Sequence, residues 1–224
     1  VTPAAVAIAA LWAAFAATHM ALSSRGARPR LVAALGERGF LGAYSLLALV
    51  LFSALCAYAI PHRHQGALLW SVPLGTGTRW AIYAGQGVAW TLVVAALASP
   101  GPATVGLPAE RRPAAPRGVH RITRHPLFMG LGLFGALHLV VNGFASDVAF
   151  WLGFPAFTVL GCLHQDARKR ATQPGYAAWC DATPLLPFTG GGLGRAVAEI
   201  PPIVPLLGVA LAAGLRWLHG PLFH

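Results

Sequence analysis

Charge is scarce in this 224-residue chain. Only 10% of its residues are Asp, Glu, Lys or Arg, against about 25% in an ordinary soluble domain. With 56% hydrophobic residues and a mean hydropathy of +0.63, that deficit argues against a soluble globular domain and for an integral membrane protein. Cysteine is also scarce. Cys56, Cys162 and Cys180 are the three, and no two form a Cys-x-x-Cys pair, so a disulfide or zinc framework is not expected. The first segment lacks a basic leader and an evident cleavage site, and it reads as a retained span, not a removed signal peptide. There is no internal repeat and no second domain. Residues 1–224 read as one transmembrane domain.

What is present is a series of apolar runs. A crossing needs about 20 apolar residues, and six runs qualify or nearly so: Pro3 to Leu22, Leu41 to Ile60, Thr78 to Ala98, Leu127 to Asn142, Val148 to His164 and Pro202 to Leu218. The fourth and fifth are the shortest, separated only by Gly143 to Asp147. The expected fold is all-α: a polytopic membrane protein with six transmembrane helices in one bundle. The longest connections are Ser99 to Arg124, whose Pro and Gly density forbids a helix, and Gln165 to Pro201, whose aromatic residues suggest a segment docked at the interface. Trp80, Trp151 and Trp217 fall near expected span ends, as an aromatic belt would place them.

The formal charge is +10, but its distribution argues against nucleic-acid binding. Arg25, Arg28, Arg30 and Arg38 fall between the first two runs. Arg111, Arg112, Arg117, Arg121 and Arg124 fall between the third and fourth. Arg168, Lys169, Arg170 and Arg195 fall between the fifth and sixth. Only Arg63, Arg79 and Arg216 occupy the alternate loops. An excess in alternate loops is a topology signal. It predicts a multi-pass protein of a bacterial inner membrane, with the basic loops cytoplasmic and both termini periplasmic. The partner is the lipid bilayer, with headgroup contact at most for the arginines.

Two of the apolar runs each contain a histidine, His19 and His138. An imidazole in hydrocarbon needs a partner: a side chain, a carbonyl, a metal or a cofactor. The run around His138 also contains Gly130, Gly132, Gly135 and Ala136. GLGLFG satisfies the dinucleotide pattern G-x-G-x-x-G, but no strand precedes it and no acidic residue follows at the required distance. Close helix packing through Gly132 and Ala136 accounts for it better, and it would also bring backbone near a flat ligand beside His138.

The densest polar signal is GVHRITRHPLFMG, Gly118 to Gly130. Pro126 suits the first turn of a helix. Arg124 presents a planar fork of donors, and His125 can donate, accept or ligate a metal. These two are the candidate catalytic residues, at the membrane surface.

RITRHPLFMGLGLFGALHLVVNG, then WCDATPLLPF, and the N-terminal THMALSSRGARPRLVAALGERGFLGAYSLLAL resemble the NnrU family of bacterial membrane proteins over nearly the whole chain. Plant zeta-carotene isomerases look like relatives: a His-Ser-Gly-Leu-Ala run matches HMALS at His19, their Arg-His-Pro matches Arg124 to Pro126, and their Ala-His matches the segment ending at His138. The outer loop from His62 to Trp70 is similar too. The resemblance implies haem b held by His19 and His138, with Gly135 and His164 beside it, and one of two roles. These are nitrite and nitric oxide metabolism, or cis-trans isomerisation of a lipophilic polyene, a small molecule that would enter from the bilayer. The isomerases carry a Cys where this chain has Gly135, which puts a ligand exchange of that kind in doubt here. Depth also separates the pair: His19 lies near the inner end of its run and His138 eleven residues past the start of its own, an offset of roughly 12 Å.

A rival cluster gathers His19, His125 and His164 near the inner face, with His120 in the adjoining loop and Asp166 and Arg168 just after His164. An Arg-His-Pro opening a span, an acidic residue, and then Tyr, Trp, Thr-Pro and Pro is also similar to the small membrane methyltransferases that act on isoprenylcysteine carboxyl groups or thiols. That resemblance implies a cytoplasmic S-adenosylmethionine site shaped by Arg124, His125, Asp166, Tyr176 and Trp179. The family usually has Glu at the position of Asp166.

Overall fold

The computed structural model describes residues 2–104, 113 and 115–223, the last four by backbone only. Arg111, Arg112 and the Pro/Gly-rich stretch around them lie outside the described residues. Helices dominate: α1 Pro3–Leu22, α2 Ala27–Ala59, α3 Thr76–Ala98, α4 Pro126–Val141, α5 Ala145–Thr172, α6 Tyr176–Asp181, α7 Leu193–Glu199 and α8 Ile203–Phe223. Between described residues the β structure is a single isolated bridge, Leu68 to Phe144.

The local reasons are ordinary. Thr2 caps α1, its Oγ1 accepting from Ala5 N at 3.4 Å, with Pro3 in the first turn, where a missing N–H costs nothing. α2 is two helical pieces joined at Gly36, whose φ of 71° is open to glycine and strained for other residues. α5 carries Asp147 in its first turn and Lys169 and Arg170 in its last, matching both ends of its dipole. The expected fifth run stopped at His164. The helix continues to Thr172 because polar residues past the apolar stretch still complete the backbone ladder.

Four helices, α1, α2, α3 and α5, are long and apolar enough to cross a membrane, and α7 with α8 makes a fifth if the pair, bent by 89°, is one span. The expected fourth crossing is α4, which has only 16 residues, about 24 Å of rise against a hydrocarbon core of about 30 Å. The architecture is therefore an all-helical membrane protein with four to five candidate crossings.

The chain forms two compact units. The first, Val1–Val72 with His138–Gly153, packs α1 on α2. Its core includes Ile8, Trp12, Phe15 and Leu55, and Trp12 Nε1 donates to the Phe150 carbonyl at 2.9 Å. The stretch after α2 is stitched to the start of α5: Gln65 N donates to Ser146 Oγ at 2.9 Å, and His64 Nδ1 donates to Asp147 at 2.7 Å. The second unit, Pro73–Leu137 with Phe154–His224, packs α3 on α8. One of its cores joins Leu92, Val119, Ile122, Met129, Cys162, Ala196 and Val204. At the rim of this unit Trp80 and Trp217 are largely exposed and Arg216 Nε donates to Tyr83 Oη at 3.2 Å. Trp151 instead lies in the first unit, stacked on His138.

Candidate functional site

The Arg-His-Pro turn opens α4 in the second unit. A 3-10 turn, Gly118–Arg121, leads into it. His125 accepts the first helical bond through its carbonyl, from Met129 N at 2.9 Å. The segment after α6 straps across this turn: Arg124 N donates to the Pro184 carbonyl at 3.0 Å, Phe188 N to Ile122 at 3.3 Å, and Thr123 Oγ1 to Leu185 at 2.6 Å.

Asp166, near the end of α5, collects three donors. Arg124 Nε reaches Oδ2 at 2.7 Å. His125 Nε2 reaches Oδ1 at 2.7 Å, and Tyr176 Oη reaches the same oxygen at 2.7 Å. Arg124 Nη1 also donates to the Thr183 carbonyl at 2.8 Å. All four side chains are buried, Arg124 and Asp166 at 9% and 5% exposure. Burial on this scale demands full pairing of the charges, and charge-assisted bonds supply it. The arrangement places a fixed carboxylate under a guanidinium and an imidazole.

Around that carboxylate, buried ring atoms lack partners. His125 Nδ1, His120 Nδ1 and Trp179 Nε1 are enclosed with no hydrogen bond. His120 Nε2 donates to the Ser99 carbonyl at 2.8 Å, which leaves Nδ1 as a lone pair. Burial holds the His120 ring below the ordinary histidine value, a fall that its Ser99 bond only partly offsets. The ring meets Trp179 edge-on at 5.4 Å. Gly101 leaves it room, because a Cβ there would collide with the imidazole. Burial and the neighbouring Asp166 carboxylate hold the Tyr176 phenol protonated, raised above its ordinary value. Buried orphans of this kind are rare in folded proteins. Here two acceptors and a donor are on offer. An open hollow of about 430 Å³ is lined by Arg121, Asp181 to Pro184 and Thr189 to Gly191, and so takes in Thr183, whose carbonyl accepts from Arg124. Its size falls within the usual range for small-molecule sites.

Sequence reasoning singled out Arg124, His125, Asp166, Tyr176 and Trp179. The structure brings Arg124, His125 and Tyr176 onto Asp166, with Trp179 buried in the same small core as Tyr176. It missed Thr183 and Ser99, which act through backbone carbonyls that no motif encodes. It also missed Lys169, whose Nζ donates to the Pro102 carbonyl at 2.6 Å. Lys169 stands in the basic run Arg168, Lys169, Arg170, and nothing in that run marks it out from its neighbours. His164 sits half-buried on α5, two residues before Asp166.

His19 and His138 lie in the first unit. His19 packs against Phe15 at 5.4 Å and Tyr44 at 4.5 Å. His138 stacks flat on Trp151 at 4.2 Å. α1 and the start of α5 run the same way, since Thr2 flanks Gly66 beside Ala145 and Trp12 reaches Phe150. His138, stacked on Trp151, therefore lies at a level between Ile8 and Trp12, and His19 lies at least seven residues further on, about 10 Å or more along the axis. Two imidazoles across one metal need bonds of about 2 Å on each side, and this register does not provide that. The space expected beside Gly135 is taken by helix packing. A Cβ at Gly135 would strike Phe154, and one at Gly132 would lie 2.8 Å from Thr158 Oγ1. Gly132 and Gly135 of α4 thus admit α5, and these residues do not fit a two-histidine haem slot as arranged. Among the described residues, no group of three or more His, Cys, Asp or Glu could hold a metal ion.

Neither curated proteins nor solved structures gave a match. A family model described as NnrU protein matches residues 7–224. That span takes in both histidine-bearing helices, the Arg-His-Pro turn and the strap, and the chain belongs to the NnrU family.

Proposed function

We propose that the working site is the Asp166 cluster and that it serves a membrane methyltransferase, binding S-adenosylmethionine from the cytoplasm to act on a lipophilic acceptor. The observation that carries this reading is the convergence of Arg124, His125 and Tyr176 on one buried carboxylate with unpartnered ring nitrogens beside it. The donor set suits a cofactor with hydroxyl, amino and carboxylate groups. His120 Nδ1 and His125 Nδ1 would accept from ribose or amino hydrogens, Trp179 Nε1 would donate, and Arg124 would face the carboxylate, since Arg121 is already held by Glu199 through Nε at 2.9 Å and Nη2 at 3.2 Å. When bound, the cofactor supplies a methyl group on sulfonium. The chain's own work is to hold Asp166 ionised beneath Arg124 and to fix the His125 ring through Nε2. Six crossings, cytoplasmic basic loops and periplasmic termini belong to this reading, as does an inner-membrane location.

Haem b with His19 and His138 is the second reading. It is favoured by the family match, which covers both residues, and the nitrogen-oxide and polyene-isomerase links go with it. The geometry supports no step through that group.

The two separate in one preparation. Purified protein in detergent is titrated with S-adenosylmethionine by calorimetry, and its absorption spectrum is taken. Saturable binding that His125→Ala abolishes and His138→Ala spares is the expected result. A red protein with a Soret band lost in His138→Ala, and no cofactor binding, would overturn the proposal.

A further inference from the structure

We propose that the arginine-rich arm at the start of α2 binds anionic phospholipid headgroups. The arm begins after α1 ends at Leu22 and turns at Gly36, where φ is 71° and ψ is 163°. It opens the second candidate crossing, Ala27–His62, with four residues between that and the end of the first at Leu22, so this charged turn stands where both spans meet the membrane surface and the phase beside it is the headgroup layer. Arg25, Arg30 and Arg38 are exposed, and among the described residues no carboxylate pairs with any of them. Arg28 differs. Its Nη2 donates to Glu37 at 2.6 Å and its guanidinium lies 5.4 Å from the centre of the Phe40 ring. Glu37, the one acid in this stretch, is thereby spent on bracing the bend, and the other three arginines keep their charge.

Apolar surface accompanies the charge. Leu35 is 53% exposed, and Leu31 and Val32 are half-buried. Cationic side chains beside exposed aliphatic ones match a surface of phosphates over acyl chains. A soluble acidic partner would need charge without the apolar contact. The inference does not depend on the chemistry at Asp166.

Native mass spectrometry of the full chain, released from mixed micelles with equal phosphatidylglycerol and phosphatidylcholine, reads this directly. Retention of phosphatidylglycerol should exceed that of phosphatidylcholine by about fivefold or more. The combined variant Arg25→Gln, Arg30→Gln, Arg38→Gln should bring the two level. Arg63→Gln, Arg79→Gln, Arg216→Gln removes the same charge elsewhere and should leave the preference intact. Glu37→Gln should raise it, and this single change keeps the test available if the triple variant fails to fold. Free glycerol phosphate should not compete. Equal retention of both lipids by the unaltered chain, an equal loss in both triple variants, or displacement by glycerol phosphate would overturn the proposal.

Discussion

At Asp166 one carboxylate serves three donors, so its removal exposes more than one unmet need. Asp166→Asn leaves a buried guanidinium without its counter-charge. It should cost about 3–5 kcal/mol of stability, read as a lowered unfolding midpoint in detergent, whereas Tyr176→Phe removes one bond to a charged group and should cost about 1.5–3 kcal/mol. Equal midpoints for the two variants would contradict the network. His120 gives a pH dependence of definite sign. Its folded value is depressed by burial from 6.5, so the unfolded chain binds the proton more readily. Its contribution is complete above the ordinary value and is lost as pH falls through the depressed one. His120→Gln should flatten that part of the stability profile between pH 7 and 5. Much of this cluster was legible: Arg124, His125, Asp166, Tyr176 and Trp179 are all chemically distinctive letters in a spaced pattern. The carbonyls of Ser99, Thr183 and Pro102 were not legible, because every residue has one and only the path of the backbone decides which is presented.

The helices show where periodic reasoning runs out. Glycines at 130, 132 and 135 announced a close approach, but a sequence cannot say whether a helix or a flat ligand makes it. Phe154 and Thr158 of α5 supply the answer at 135 and 132, and Ala89 and Val93 of α3 supply it at 130. Gly135→Ala should therefore cost about 1–3 kcal/mol by overpacking, measured as a drop in the unfolding midpoint. An unchanged midpoint would mean that α5 does not seat there. Gly36→Ala is a contrasting case, since a Cβ there meets nothing within 4 Å. Its cost should be the backbone strain alone, about 1–3 kcal/mol. Helix ends were the least readable feature. Residues after His164 carry the charge expected of a loop, yet α5 runs on to Thr172 and thereby delivers Asp166 to the site.

For the molecule as a whole, composition was the strongest guide. Low charge and long apolar runs established the membrane class before any motif was weighed, and the motifs matched the family that residues 7–224 confirm. The number of crossings is less settled by composition, because α4 is short and α7 breaks from α8 at 89°. The central claim concerns where the chemistry happens. Membranes containing the protein, incubated with S-adenosylmethionine labelled in its methyl group, should yield label in the organic-solvent extract, and the same membranes with Asp166→Asn at equal protein level should not. Extracts without label from the unaltered protein, or with equal label from both, would contradict the account.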